Sequence, residues 1–326
     1  MSVSYRHRCD DRRVTDGEED GSRSARGMSL RHAVDEYLLY LKAVGRSQAT
    51  TASYSVSLAM LTATVPEEFP LSALSADFLV NWMASLKVPN AIGQRKSETT
   101  LNRFRTTYRA FARWAFESGR IPFNPALLLH MAQVDSPRTP AITLLEIRKL
   151  LDTIRHSGDP LRLRDEALFQ TYAMTGIRRT EALTLAISDY NAEAATLTVN
   201  CGKGRQIRTV PVADSLGSLL QQWLEHQFPA GAVRSGTLFG DRLSGQALSP
   251  RQANARFQHW QGLAGLSGGL TIQSFRVGFA TVLHADTSDL MLLSRALGHR
   301  DVRPIQRYID PATEKLRLAI ERSFSG

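Results

Sequence analysis

The chain has 326 residues but only two cysteines, Cys9 and Cys201, far apart in the sequence. A disulfide framework or a metal site built on cysteine is therefore not expected, and isolated thiols suit a reducing cytoplasm. The sequence also lacks the run of roughly 18 apolar residues that a membrane span needs, and its N-terminus lacks an apolar signal-peptide core. We therefore expect a cytoplasmic protein that does not span a membrane.

Motifs of several enzyme classes are also missing. H-E-x-x-H, C-x-x-C and a D-x-D cluster do not occur, so metal-assisted hydrolysis lacks its usual ligands. The protein-kinase signature does not occur either. A G-K-G stands at 202–204 without the rest of a P-loop, so nucleotide binding does not follow from it. We expect no metal site and no cofactor.

Acidic residues are outnumbered by basic ones, with 31 Asp and Glu against 40 Lys and Arg and a net charge of +9. A solvated surface explains such a surplus, and so does nucleic-acid binding, because released counterions drive basic proteins onto phosphate. Charge alone does not separate the two. The composition, 43% hydrophobic and 22% charged, is that of a globular protein, and the length suggests two domains.

Composition shifts along the chain predict four parts. Residues 1–27 are charged and poor in large apolar side chains, which predicts a disordered tail, and Met28 is an alternative start. A helical domain is expected over 28–130 and a linker with two prolines over 131–142. The remainder, 143–326, is expected to form the second domain.

Helical periodicity dominates both domains. In the first, Ser29, Ser75 and Ser97 are candidate N-caps, and helices are expected over 30–44, 48–62, after Ser75, and over 98–119. In the second, Thr143 and Glu146 have capping-box spacing, and helices are expected over 144–156, 163–175, 179–186, 214–227, 250–263, 273–285, 289–297 and 311–323. Alternating residues at 195–200 and 206–212 predict a β-hairpin. The predicted fold class is mainly α: an all-α domain followed by a mostly helical α+β domain with a small antiparallel sheet.

The fourth helix carries a row of basic residues, with Glu98 and Glu117 as the acids nearby. Such a face is often simply solvated, but this one looks uncompensated, which favours DNA contact. The predicted DNA-binding residues are Arg95, Lys96, Arg103, Arg105, Arg109 and Arg113.

The segment 270–283 is mostly apolar at helical spacing, yet it contains Arg276, with Gln273 three residues earlier. A buried arginine needs an anionic partner, because an unpaired buried charge is costly. That partner is either an acidic side chain of the protein or a phosphate or carboxylate of a ligand.

Four further residues are candidates for chemistry, and two of them allow two interpretations each. Arg178 follows a helix break at Gly176 and either pairs with Glu181 or binds a ligand. Lys203 lies between two glycines at the hairpin tip and is either an ordinary turn lysine or close to a ligand. The remaining two, His299 and Tyr308, would by themselves be packing or surface residues.

Taken in order, these residues resemble the active site of the tyrosine recombinases, the phage integrase family. The segments TGIRRTEAL and GKGRQIRTVPV resemble the family's first arginine box and its lysine hairpin. The segment QSFRVGFAT resembles the H-x-L-R-H box, and LGHRDVRPIQRY has the nine-residue step from histidine to tyrosine. The resemblance covers about 28–323, including a SAM-like core-binding domain over the first helices.

This resemblance implies that DNA strands are cut and rejoined through a covalent 3′-phosphotyrosine, without ATP or metal. The implied nucleophile is Tyr308, and the implied general acid is Lys203. Arg178 and Arg276 would neutralise charge on the phosphorane, and His299 would hydrogen-bond a non-bridging oxygen.

Gln273 departs from the family pattern, which has histidine there, and Val277 replaces the second histidine of the box. An amide N–H can donate to a phosphate oxygen, but glutamine cannot take up a proton near neutral pH. The sequence therefore predicts an active but slow enzyme.

The resemblance also implies partners: double-stranded DNA, and a homotetramer or a heterotetramer with related recombinases on two DNA sites. The helix predicted over 311–323 either packs on its own domain or docks on a neighbouring subunit. Two alternatives remain at this point. One is a catalytically impaired accessory DNA-binding paralogue, favoured only by Gln273, and the other is a strand transferase similar to type IB topoisomerases.

Overall fold

The computed structural model describes residues 27–87, 95–134, 139–200, 207–228, 235–240 and 246–298. Most of the predicted tail, the hairpin tip and the helix predicted over 311–323 lie outside these residues. The chain divides into two compact units, Met1–Ser136 and Pro137–Gly326. Among the described helices, none is both long and apolar enough to cross a membrane.

The described part of the first unit is all helical, with a 3₁₀ turn at Leu71–Ala73. Its helices begin where a serine can cap them: the side chains of Ser29, Ser75 and Ser97 each accept a main-chain N–H three residues on, as predicted. Gly119, with φ of 72°, follows the end of the last helix. The helices are α1 Leu30–Ala43, α2 Gln48–Thr62, α3 Ala76–Ser85 and α4 Glu98–Glu117.

The core of this unit is built on the predicted apolar stripes. Leu30, Leu58 and Leu79 are fully buried, and Tyr108 on α4 is buried among them. The Tyr108 hydroxyl donates to the Ser57 carbonyl at 2.7 Å, which ties α4 to α2. Burial raises the pKa of this phenol, so it stays a neutral donor.

The described part of the second unit is mostly helical with one small sheet, which confirms the predicted fold class. The sheet has the order β1-β2-β3 and is antiparallel throughout. Strand β1 was not predicted, because two residues are too few to show alternation. The elements are α5 Leu144–Arg155, α6 Arg162–Thr175, α7 Arg179–Thr184, β1 Tyr190–Asn191, β2 Thr196–Val199, β3 Arg208–Pro211, α8 Asp214–Gln227, α9 Pro250–Leu263, α10 Ile272–Thr287 and α11 Leu290–Leu297.

Helix α6 is the centre of this unit and packs against α5, α8 and α10. It is buried on nearly all sides, and its Phe169 stacks on Phe275 of α10 with ring centroids 6.0 Å apart. The stacking fixes α10 beside the C-terminal end of α6. That placement matters because α6 leads into Arg178 and α10 carries Arg276.

Gly278 in α10 is expected to resist replacement by alanine. Alanine in a helix interior normally stabilises by about 1 kcal/mol relative to glycine. Here a new methyl group would run into the main-chain carbonyl oxygen of Ile142 and lie 3.3 Å from its Cγ2. The Ile142 N–H donates to the Ser274 carbonyl at 3.2 Å, which restricts how far this segment can move. Gly278→Ala should therefore lower the free energy of unfolding by about 1–3 kcal/mol, measured by urea denaturation.

Gly262 in α9 provides the matched control. A Cβ added there has no atom within 4 Å. Gly262→Ala should be neutral or stabilise by up to about 1 kcal/mol. Equal changes in the free energy of unfolding for the two substitutions would show that the close approach of Ile142 does not exclude a side chain at Gly278.

Candidate active site

The turn between α6 and α7 confirms the predicted helix break. Helix α6 ends at Thr175, and Gly176 adopts the left-handed conformation with φ of 59°. A side chain at Gly176 would also collide with the ring of Phe279 on α10. Both the backbone conformation and the close approach therefore require glycine, and the chain restarts at Arg178 as the N-cap of α7.

Arg276 is buried, as predicted, with 1% of its surface exposed. Its Nη1 donates to the Gly176 carbonyl and its Nη2 to the Leu297 carbonyl, both at 2.7 Å. These carbonyls stand at the C-terminal ends of α6 and α11, where intrahelical donors run out and the helix dipole is negative. Main-chain carbonyls were not among the predicted partners. The guanidinium thus joins two helix ends, one just before Arg178 and one just before His299.

Arg178 pairs with Glu181, as one of its two interpretations predicted. Its Nη1 donates to Glu181 Oε1 at 2.8 Å, and its main-chain N–H donates to Oε2 at 2.9 Å. Arg208 on β3 donates to the same Oε2 at 2.8 Å. Burial favours a higher pKa for Glu181, but the hydrogen bonds from Arg208 and Arg178 outweigh it and lower the pKa to about 2. This carboxylate is therefore ionised at neutral pH and orients two arginines.

Arg208 was missed by sequence reasoning. Its guanidinium contacts Gly298, where an added Cβ would lie 2.8 Å from Nη1. Gly298 caps α11 in the left-handed conformation, with φ of 64°, and directly precedes His299. In the sequence, Arg208 could be recognised only as an arginine on the strand after the turn that carries Lys203. Many arginines lie on strands, so this position did not indicate a functional role.

A cavity of about 430 Å³ opens beside Arg178. Gln273, exposed on the first turn of α10, lines the same cavity. The structure therefore brings Arg178 and Gln273 to one place, with Arg276 linked to them through Gly176. Lys203, His299 and Tyr308 lie outside the described residues, and their roles stay predictions.

Two arginines on the basic face of α4 are paired with acidic residues, which was not predicted. Arg105 is buried, and its Nη1 donates to Glu98 at 3.1 Å and to Asn102 at 2.6 Å. Arg113 pairs with Glu117 at 2.7 Å. The expectation that these arginines are uncompensated is therefore wrong for Arg105 and Arg113, because each acid lies one or two helical turns from an arginine.

The other basic residues of that face are exposed. Lys96 and Arg103 lie over the ring of Phe104, at 5.9 and 5.6 Å from its centroid. Arg109 donates to the Leu129 carbonyl at 3.4 Å. DNA contact by Arg95, Lys96, Arg103 and Arg109 stays a prediction.

Two family models match the chain. The phage integrase family matches residues 141–315, and the N-terminal SAM-like domain of phage integrases matches residues 34–119. Tyrosine recombinase XerC of Mycobacterium sp. (strain JLS) is 31% identical over 299 residues, covering 90% of this chain and 98% of the relative. XerC of Rhodospirillum centenum is 32% identical over 287 residues, covering 85% and 82%.

Solved structures share the fold. A lambda integrase dimer bound to a COC′ core site matches with a TM-score of 0.69 and 20% identity, covering 90% of this chain and 80% of that one. The XerH recombinase bound to palindromic difH substrate, a post-cleavage complex, matches with a TM-score of 0.68 and 21% identity, covering 90% and 84%.

Proposed function

Because the chain belongs to the phage integrase family and is a tyrosine recombinase, we propose that it cuts and rejoins DNA at specific sites with Tyr308 as the nucleophile. The observation that supports this use of the site is the position of Arg276. Its two hydrogen bonds join the helix end that leads to Arg178 with the helix end that leads to His299. Arg276 thereby links two helix ends that are far apart in the sequence, which supports the proposal that the residues following them act on one phosphate.

The proposed reaction exchanges one phosphodiester for another. The Tyr308 hydroxyl gives its proton to solvent water and its oxygen attacks the scissile phosphorus, while the bond from phosphorus to the 5′-oxygen breaks. Lys203 gives the leaving 5′-oxygen a proton. A 5′-hydroxyl of the recombining strand then gives its proton to Lys203 and attacks the phosphotyrosine, and the released Tyr308 oxygen takes a proton from water. The bond energy is conserved at each step, so no ATP is required, and the charge on the phosphorane is neutralised by arginines rather than by a metal.

Positive charge around the phosphate supplies the main stabilisation in this proposal. Arg178 and Arg276 neutralise the charge that builds on the phosphorane, and His299 and Gln273 donate to its oxygens. Glu181 does not cancel this field, because it is shared between Arg178 and Arg208. A free phenol has a pKa near 10, so a cationic surround also favours the Tyr308 phenolate.

Double-stranded DNA is the proposed substrate, bound by both units, and we propose that four subunits act on two DNA sites in the cytoplasm. The surplus of basic residues supports DNA binding. So do the solved relatives, since lambda integrase and XerH were both seen on DNA.

The test of this proposal uses nicked suicide substrates made from the DNA that flanks the gene. The nick lets the short fragment that carries the new 5′-hydroxyl diffuse away. The cleavage then cannot be reversed, so the covalent intermediate accumulates. We expect an adduct that resists denaturation, with the nucleotide mapped to the peptide of Tyr308 by mass spectrometry. Binding without any adduct would instead indicate an accessory DNA-binding subunit. Relaxation without synapsis of two sites would indicate a topoisomerase-like enzyme.

Gln273→His is expected to speed cleavage in the same assay. Imidazole can both donate a hydrogen bond and take up a proton near neutral pH, whereas the amide can only donate. Acid–base groups contribute roughly 10²–10⁴-fold, so a gain of about tenfold is a reasonable share. The single-turnover rate of adduct formation measures it, with Gln258→His, on the same cavity but in α9, as the control. A rate unchanged by Gln273→His would mean that the glutamine does not limit cleavage.

A further inference from the structure

The cavity beside Arg178 is rich in hydrogen-bond donors. Its polar lining carries guanidinium, amide and hydroxyl groups, and none of the lining residues that the structure describes is acidic. Its volume of about 430 Å³ lies within the range of ligand sites, roughly 300–1,000 Å³. Such a lining favours an anion. The polar lining residues are Arg178, Arg179, Thr180, Asn254, Gln258, Thr271 and Gln273.

Arg179 is a charged lining residue that the reaction proposed above does not use. Its Nη1 donates to Asn254 Oδ1 at 3.0 Å, and its carbonyl accepts the Tyr172 hydroxyl at 3.2 Å. Its Nε is buried and has no hydrogen-bond partner within the described residues. Among those residues it also forms no ion pair, in contrast to Arg178.

A buried N–H without an acceptor is costly. A guanidinium whose partner is a neutral amide also has no nearby anion to balance its charge. An anion that enters the cavity would balance this charge, because its oxygens can accept from a guanidinium that lines the cavity. Asn254 of α9 accepts a hydrogen bond from the Arg179 guanidinium and so restricts this side chain before any ligand binds. Binding therefore costs little further side-chain entropy.

We propose that Arg179, held by Asn254, binds a second phosphate of the DNA strand, next to the phosphate held by Arg178 and Gln273. This rests on the proposed function, since it takes DNA as the ligand of this cavity. Phosphates repeat along a strand, and consecutive arginines that line one cavity suit consecutive phosphates. Arg179 is then a positioning residue that sets the register of the strand.

The test is a double-mutant cycle that pairs a substitution in the protein with a modification of the DNA. Dissociation constants are measured by fluorescence anisotropy for the wild type and Arg179→Gln, on the cognate site and on sites with a single neutral methylphosphonate at each phosphate near the cleavage position. We expect Arg179→Gln to weaken binding of unmodified DNA about tenfold, as loss of a charged hydrogen bond does, and to lower the salt slope of log K by about one. At one non-scissile position, the methylphosphonate and Arg179→Gln should together cost no more than either alone.

Arg148→Gln is the matched control, because Arg148 is exposed on α5 and does not line the cavity. It should show no coupling to any methylphosphonate.

Arg179→Lys keeps the charge but not the planar guanidinium, so it should give a smaller loss of affinity that is coupled to the same phosphate. This variant replaces Arg179→Gln in the test if Arg179→Gln fails to fold. Additive losses at every position would overturn the proposal. A wild-type adduct with no coupling would leave the recombinase function intact, while coupling without an adduct would leave only the phosphate site.

Discussion

Replacing Tyr308 by phenylalanine is expected to abolish the covalent adduct on a nicked cognate site. The phenyl ring has no oxygen to form the phosphotyrosine, so the loss is complete. Binding should change by no more than about tenfold, because a single hydrogen bond contributes about 0.5–1.5 kcal/mol. Denaturing gels of labelled DNA measure the adduct, and anisotropy measures the binding.

Tyr190→Phe is the control for this substitution. Within the part of the chain that the structure describes, the Tyr190 hydroxyl donates to the Gly217 carbonyl alone, at a long 3.4 Å, so its removal should leave adduct formation unchanged. An adduct that persists in Tyr308→Phe would place the nucleophile elsewhere. Loss of the adduct in both variants would point to a folding defect instead.

The second large effect is expected at Asp165 in α6. This carboxylate is fully buried and accepts hydrogen bonds from three donors on two helices. Arg164 donates from Nε at 3.0 Å and from Nη2 at 2.8 Å. Arg256 and the Trp260 indole, the latter at 2.8 Å, donate from α9. Asp165 is therefore the ionic link between the central helix and α9.

Asp165→Asn should lower the free energy of unfolding of the second unit by about 3–5 kcal/mol. The amide cannot balance two guanidinium groups, and the charge of Arg164, only 2% exposed, is left buried without its partner. Its NH₂ would also face donors rather than acceptors. Urea denaturation measures the change, and hydrogen exchange of peptides from α6 and α9 assigns it to the second unit.

Asp159→Asn removes the same charge from a neighbouring site and is the matched control. Asp159 is 18% exposed, and its Oδ2 accepts from Arg256 at 2.7 Å. Partly exposed pairs contribute about 1 kcal/mol or less, so this substitution should cost far less than Asp165→Asn. Similar costs for both would mean that burial of Asp165 does not set the strength of the network.

Local structure was predictable because its causes lie within a few residues. Ser29, Ser75 and Ser97 cap the helices that follow them, and Gly176 ends α6, as their spacing predicted. These features depend on one hydrogen bond or one backbone angle, which a short segment specifies. The apolar stripes were equally clear, since a helix places every third or fourth residue on one face.

Interactions between distant segments were not predictable in the same way. The sequence indicated that Arg276 is buried and needs partners, but not that two helix-end carbonyls would accept from it. Nor did it indicate that Arg208 would share Glu181 with Arg178, or that Arg105 would turn inward to Glu98. Each depends on where a chain segment folds in space, which periodicity does not encode.

By itself the sequence determined the helical fold class, the helix starts and stops, and a set of residues whose order resembles one enzyme family. Those properties follow from local propensity and residue identity. Only the tertiary structure decided which groups satisfy the buried charges and which cations line the cavity beside Arg178. The physical reason is that a buried guanidinium takes whatever acceptors packing brings within about 3 Å of it, and packing brings together Gly176, Arg276 and Leu297 from three separate parts of the chain.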